Sequence, residues 1–136
     1  MKKQVKITIK GIQNDDHIEM TTVGTLYKKD NRIFINYIDR LLDDEKETNT
    51  TIKIDGNKKV TIIRYGAVTT TMIFEKISYS TYHTPLGVFE LEINTNNIFL
   101  KDTSDRLELK LNYTLGVNGK QESDAFFELK ADKLDI

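Results

Sequence analysis

Apolar and polar residues alternate along most of this chain. Val5, Ile7 and Ile9 fall on one side of an extended segment and Lys6 and Thr8 on the other, the period-2 pattern of a strand with one wet face. The alternation continues through Ile18, Met20, Thr22, Gly24 and Leu26, where the glycine predicts a bulge or sharp bend, since a strand-interior Gly gives up packing. Lys29-Asp30-Asn31-Arg32 predicts a tight hairpin because Asp and Asn tolerate positive φ. It leads into Ile33 to Ile38, apolar on both faces at its centre. The pattern lapses from Arg40 to Glu47, where Asp43, Asp44, Glu45 and Glu47 lie close together and read as a solvated loop.

Alternation returns at Thr51 to Ile54 and turns at Asp55-Gly56-Asn57, the strongest short-range hairpin signal in the chain. It runs back through Val60 to Tyr65, turns at Gly66 and Ala67 into Val68 to Phe74, and is followed by a short segment from Tyr79 to His83. The only proline, in Thr84-Pro85-Leu86-Gly87, fits a type I turn. Beyond it come Phe89, Leu91 and Ile93, a turn at Asn94 to Asn97, then Ile98 to Leu100 and a turn at Asp102 to Asp105. The longest clean alternation is Leu107, Leu109, Leu111, Tyr113 and Leu115; a loop from Gly116 to Asp124 precedes Ala125, Phe127 and Leu129. About nine to eleven short strands joined by hairpin turns predict an antiparallel meander. Closing such a meander on itself removes exposed strand edges. The expected fold is therefore all-β, a single closed up-and-down barrel of about 8–10 strands, with residues 1–136 as one domain.

Composition strengthens that reading. Sixteen Ile, sixteen Thr and six Val stand against three Ala, and branching at Cβ suits a pleated surface better than a helix. With 136 residues, about two-thirds of the unfolded chain's surface can be buried without crosslinks. The net charge of −1 argues against a nucleic-acid partner, since grooves that track a phosphate backbone need a positive surplus. No apolar run reaches the roughly 20 residues of a membrane span or the roughly 7–15 of a secretory signal, so no membrane partner and a cytoplasmic location are expected. The absence of Cys closes thiolate chemistry.

Candidate chemistry is sparse. Asp15, His17 and Glu19 superficially resemble a metal cluster, but in a turn leading into a strand they need not converge, and no metal or other cofactor is expected. The segment from Arg64 to Gly87 is richer. If Val60 and Ile62 face the core, period 2 brings Arg64 to the same face near the strand end, where a guanidinium needs an acceptor or a ligand anion. Tyr65, Tyr79, Tyr82 and His83 lie close by in sequence and, with Arg64, form the candidate lining of a barrel mouth that holds a small acidic or aromatic ligand. In the competing reading Arg64 pairs with Glu75 or another carboxylate and the tyrosines fill the rim.

The stretch Ile63-Arg64-Tyr65-Gly66-Ala67, the later Phe74, the Tyr82 to Gly87 segment and Leu107-Glu108-Leu109-Lys110-Leu111-Asn112-Tyr113 together resemble the YwiB-like β-barrel family, a bacterial domain of unknown function assigned to the calycin, or lipocalin-like, barrels. The resemblance runs from Val5 to Leu129 and implies a closed antiparallel barrel with no established activity. The Gly-x-Trp signature of ordinary lipocalins is lacking, since Gly11 is followed by Ile12 and Gln13 and the chain has no Trp. The functional expectation is a non-enzymatic barrel that binds a small ligand at one end. The alternatives are an interaction or self-assembly module, using an exposed edge or the strand Ile33 to Ile38 to pair with itself in a homo-oligomer or with another protein, and, more remotely, an enzyme using His83 with a nearby carboxylate or Tyr as acid–base pair, no catalytic residue being assigned.

Overall fold

A computed structural model describes residues 2–13, 15–39, 47–120 and 123–134. The expected acidic loop from Arg40 to Glu47 lies, apart from Glu47, outside the described residues, as do Asn14 of the first turn and Gln121 and Glu122 of the last loop.

Ten strands follow one another: β1 (Lys3–Gln13), β2 (Asp16–Lys29), β3 (Arg32–Asp39), β4 (Thr48–Asp55), β5 (Lys59–Gly66), β6 (Thr70–Phe74), β7 (Ile77–Thr84), β8 (Gly87–Asp102), β9 (Arg106–Val117) and β10 (Ser123–Lys133). Each pairs antiparallel with its sequence neighbour except at the β6/β7 step, and β1 pairs with β10 in register from Val5↔Lys133 to Gln13↔Ala125. The result is a nearly closed barrel. No helix among the described residues is long and apolar enough to cross a membrane.

Alternation is what builds the wall. Val5, Ile7, Ile35, Ile52, Ile54, Val60, Ile62, Ile93, Leu109, Leu111 and Leu129 all point inward and are almost fully buried, while their sequence neighbours face out. The turns follow their residue chemistry: Asp30 and Asn31 take positive φ between β2 and β3, and Gly56 does so between β4 and β5. Thr84 and Gly87 pair across the two-residue Pro85-Leu86 turn, where the Thr84 hydroxyl accepts from the Leu86 N–H at 3.1 Å and donates to the Gly87 carbonyl at 3.0 Å.

Two expectations need correction. Asn94 to Asn97 is no turn: β8 runs unbroken from Gly87 to Asp102, and the register shift against β9 between Thr95 and Asn97 marks a bulge, one extra residue absorbed without reversing the chain. Gly24 is no bulge either, because the β1/β2 ladder passes through Val5↔Gly24 in regular register. The glycine is there for space, as a Cβ would come within 2.3 Å of the Asn36 carbonyl oxygen and 2.5 Å of Ile7 Cδ1.

The wall is discontinuous in two places. Between β6 and β7 a single bridge, Thr69↔His83, replaces a ladder, and the Thr70 and Ser78 hydroxyls reach across to the Thr81 and Ile73 carbonyls. Between β2 and β3 the ladder stops at Thr25↔Asn36, so Asp16 to Gly24 pair only with β1.

Candidate functional site

Because the chain reverses at every turn, the C-terminal ends of the odd-numbered strands and the N-terminal ends of the even-numbered ones gather at one end of the barrel. Inward-facing positions at that end change character. On the wall from β3 to β6 the buried row Ile35, Ile52, Ile62 and Met72 gives way, one step outward, to Tyr37, Thr50, Arg64 and Thr70, which neighbour one another across the ladders. One step further stand Asp39 and Thr48, beside Gly66. That glycine is required: its φ is 146°, and a Cβ would fall 2.1 Å from the Glu47 carbonyl oxygen. The opposite wall stays apolar, with Ile9, Met20, Leu91, Leu115 and Phe127.

Between the walls lies a cavity of about 470 Å³. Tyr82 and Tyr113 add phenols to its lining, and Asp16 lies toward the tip of the β1/β2 hairpin. Tyr113 also meets Phe74 edge-on, ring centroids 4.9 Å apart, which sets it on the cavity floor.

Arg64 is half-buried and is the one cation in this lining among the described residues. It makes no ion pair with a described carboxylate; its Nη1 donates to the thioether sulfur of Met72 at 3.7 Å. Glu75 pairs instead with Lys59. Burial pushes the Tyr37 phenol up to about 12, the positive charge of Arg64 pulling the other way without prevailing. Burial raises Tyr113 as well, again opposed by Arg64. Both phenols are therefore neutral hydroxyl donors at physiological pH.

Of the residues singled out from sequence, the structure brings Arg64 and Tyr82 together in the cavity and turns Tyr65, Tyr79 and His83 away from it. The reason is parity. Tyr65 is next to inward-facing Arg64 and Tyr79 is an odd number of residues from inward-facing Tyr82, so both stand on the outer face, each 75% exposed. Tyr79 donates there to Glu92. His83 is exposed and holds the β6/β7 seam through its backbone, its N–H and carbonyl both bonded to Thr69 at 2.9 Å. His17 and Glu19 stand exposed on the outer side of β2, opposite Ile12 and Lys10, and no cluster of metal-ligating side chains is found among the described residues. Tyr37, Asp39 and Tyr113 went unread in the sequence. The signal was present, since Tyr37 continues the inward series Ile33 and Ile35, and Tyr113 continues Leu107 to Leu111.

Fold and site together define a class, a ten-stranded antiparallel barrel packed at one end and hollow at the other, with one half-buried cation on the wall of the hollow among the described residues. The chain belongs to the family described as a domain of unknown function, DUF1934, whose family model matches residues 4–129. Its fold is that of the ywiB protein from Bacillus subtilis, known from a crystal structure: the two share 19% sequence identity, with a TM-score of 0.84 over 98% of this chain and 94% of that one. No curated protein matches the sequence.

Proposed function

We propose that this protein is a non-enzymatic, cytoplasmic barrel that binds a small ligand in the cavity at its open end. The observation that carries the reading is the cavity itself. At about 470 Å³ it lies within the range of roughly 300–1,000 Å³ usual for small-molecule sites, and it has the usual make-up, apolar surface with a few convergent polar groups. The nearly closed antiparallel architecture is compatible with it, since a small barrel whose interior is not filled by side chains can hold one small molecule. Native mass spectrometry of gently purified protein, followed by organic extraction, tests the reading. The expected result is a mass excess of a few hundred daltons at most, removed by the extraction. Protein that carries nothing and shows no thermal shift with any member of a small-metabolite panel overturns it.

A second reading, self-assembly, is favoured by one observation. Ile63, Tyr65, Ile77, Tyr79 and Val88 form exposed apolar positions on the outer faces of β5, β7 and β8. The strand Ile33 to Ile38 offers a face at most, because it is bonded on both sides over much of its length. Light scattering separates the readings: a strict monomer at high concentration removes assembly and leaves ligand binding untouched.

A further inference from the structure

We propose that the cavity selects a singly charged amphipathic anion, a monocarboxylate with a compact apolar tail, bound with its head at Arg64 and its tail against β1, β2 and β8–β10. The proposal rests on the ligand-binding reading above and names the class of ligand.

Three features of the cavity lead to it. The first is the state of Arg64. A guanidinium is effectively always charged, and one partly withdrawn from water without a carboxylate partner among the described residues has lost hydration that neutral contacts repay only in part. Among the described residues, it donates to the Met72 sulfur, a weak acceptor, and to the neutral Tyr37 phenol, and neither offsets its charge. A ligand oxyanion would supply the missing charge-assisted hydrogen bonds, and Arg is the side chain best shaped to hold a carboxylate by two parallel ones.

The second is the distribution of polarity around the barrel. In the strand order β6-β5-β4-β3-β2-β1-β10-β9-β8-β7, β5 and β10 are five strands apart, on opposite sides of the ring. Arg64 on β5 therefore looks across the cavity toward Phe127 on β10, with Ile9, Met20 and Leu115 beside it. Tyr37 and Tyr113 remain protonated because burial raises both, so they present hydroxyl donors and no competing negative charge near the guanidinium. A molecule with one charged end and one greasy end satisfies both walls; a wholly apolar one leaves Arg64 desolvated, and a wholly polar one leaves the β10 side unmatched.

The third is the sign of the other charges. Asp16 and Asp39 also line the cavity. Asp39 stands one ladder step nearer the rim than the row of Arg64, and it has interactions of its own. One cation at depth with two carboxylates around it can neutralise one negative charge but repels a second. Phosphate-rich ligands and dicarboxylates are thereby disfavoured, and a monocarboxylate is not.

Octanoate, 1-octanol and octanedioate share a chain and differ in charge, so titration calorimetry of the full chain with these three decides the matter. The expected result is octanoate binding at least tenfold more tightly than either of the others. In Arg64→Gln, octanoate should weaken tenfold or more while octanol changes less than threefold, and Arg64→Lys should recover part of the loss. Octanol binding as well as octanoate, or octanoate affinity unmoved in Arg64→Gln, overturns the anion assignment and leaves the cavity reading standing. Octanedioate matching octanoate overturns the single-charge limit. If none of the three binds at millimolar concentration, the monocarboxylate assignment is overturned, and the ligand-binding reading is decided separately by co-purification and the metabolite panel. Circular dichroism confirms that the variants fold, and if Arg64→Gln does not, the head-group series on the unaltered protein decides alone.

Discussion

The same ten strands make both ends of this barrel, and the ends differ. At one, Phe74, Ile54, Val60, Leu107 and Leu109 fill the interior, and the space left beside Val5, Leu26 and Ala131 is only about 10 Å³. Ion pairs ring its rim: Lys28 with Asp102, Arg32 with Asp55, Lys59 with Glu75 and Arg106 with Asp132. At the other, the inward positions carry Tyr, Thr and Arg and enclose about 470 Å³. The closed end obeys the ordinary rule that buried apolar side chains pack to high density and charges go to the surface. The open end breaks both parts of it, and such violations are where a fold trades stability for a site.

If the closed end is the stabilising half, truncation there must cost far more than truncation at the open end. Phe74→Ala removes an almost fully buried ring from the packed interior and is expected to destabilise by about 3–5 kcal/mol. Met20→Ala enlarges a hollow that already exists, so only the transfer term of a half-buried side chain is lost, about 1 kcal/mol. Urea unfolding of the two variants gives both numbers, and equal losses would show the two ends to be energetically alike.

The open end also has a signature in pH. Tyr37 ionises near 10.0 when unfolded and is pushed up to about 12 in the fold. Between those values the unfolded chain releases a proton that the folded one keeps, so this contribution to stability is whole below pH 10 and is lost as pH rises toward 12. The loss amounts to at most about 2.7 kcal/mol, and Tyr113 shifts in the same direction. Stability measured by urea unfolding at pH 9 and pH 11 should fall, and Tyr37→Phe should fall less. Parallel behaviour of the two proteins would mean that the phenol is solvated and the cavity wetter than its lining suggests.

Where the halves meet, Gly24 sets how closely β2 approaches β3 just before their ladder ends. In Gly24→Ala the new methyl meets the backbone oxygen of Asn36, which can move only if the strands separate. The expected cost is about 1–3 kcal/mol by thermal or urea unfolding. A neutral result would place the give in the β2/β3 split rather than in the packed wall.

Most of the barrel was legible in the sequence because period-2 alternation and turn chemistry are local signals. The site was half legible, for reasons visible in particular residues. Arg64 was found by carrying the inward series Val60 and Ile62 one step further, but the same rule applied to Tyr65 and Tyr79 would have turned them outward at once. Tyr113 was hidden by a different error. Reading Asn94 to Asn97 as a turn adds a strand, reverses the direction of everything after it and sends Tyr113 to the wrong end of the barrel. A bulge and a turn share the same residue types, Asn and Thr, and only the pairing partner across the sheet tells them apart. The β6/β7 seam was equally out of reach, since it depends on Thr70 and Ser78 hydroxyls meeting carbonyls of strands the pattern treats as ordinary neighbours.

The smallest expected effect is the sharpest discriminator between the ends. A guanidinium that holds a structure together through a buried ion pair costs roughly 3–5 kcal/mol to remove, because its partner is left charged and alone. Arg64 has no such partner among the described carboxylates, so Arg64→Met leaves none stranded and returns apolar surface to a wall already flanked by Met72. Its stability should stay within about 0.5 kcal/mol of the parent by urea unfolding. A loss above about 2 kcal/mol would make Arg64 part of the scaffold through its hydrogen bond to Tyr37. Near-neutrality leaves the guanidinium with no role in holding up the barrel wall, and a charge that the fold does not need is one available to something the barrel holds.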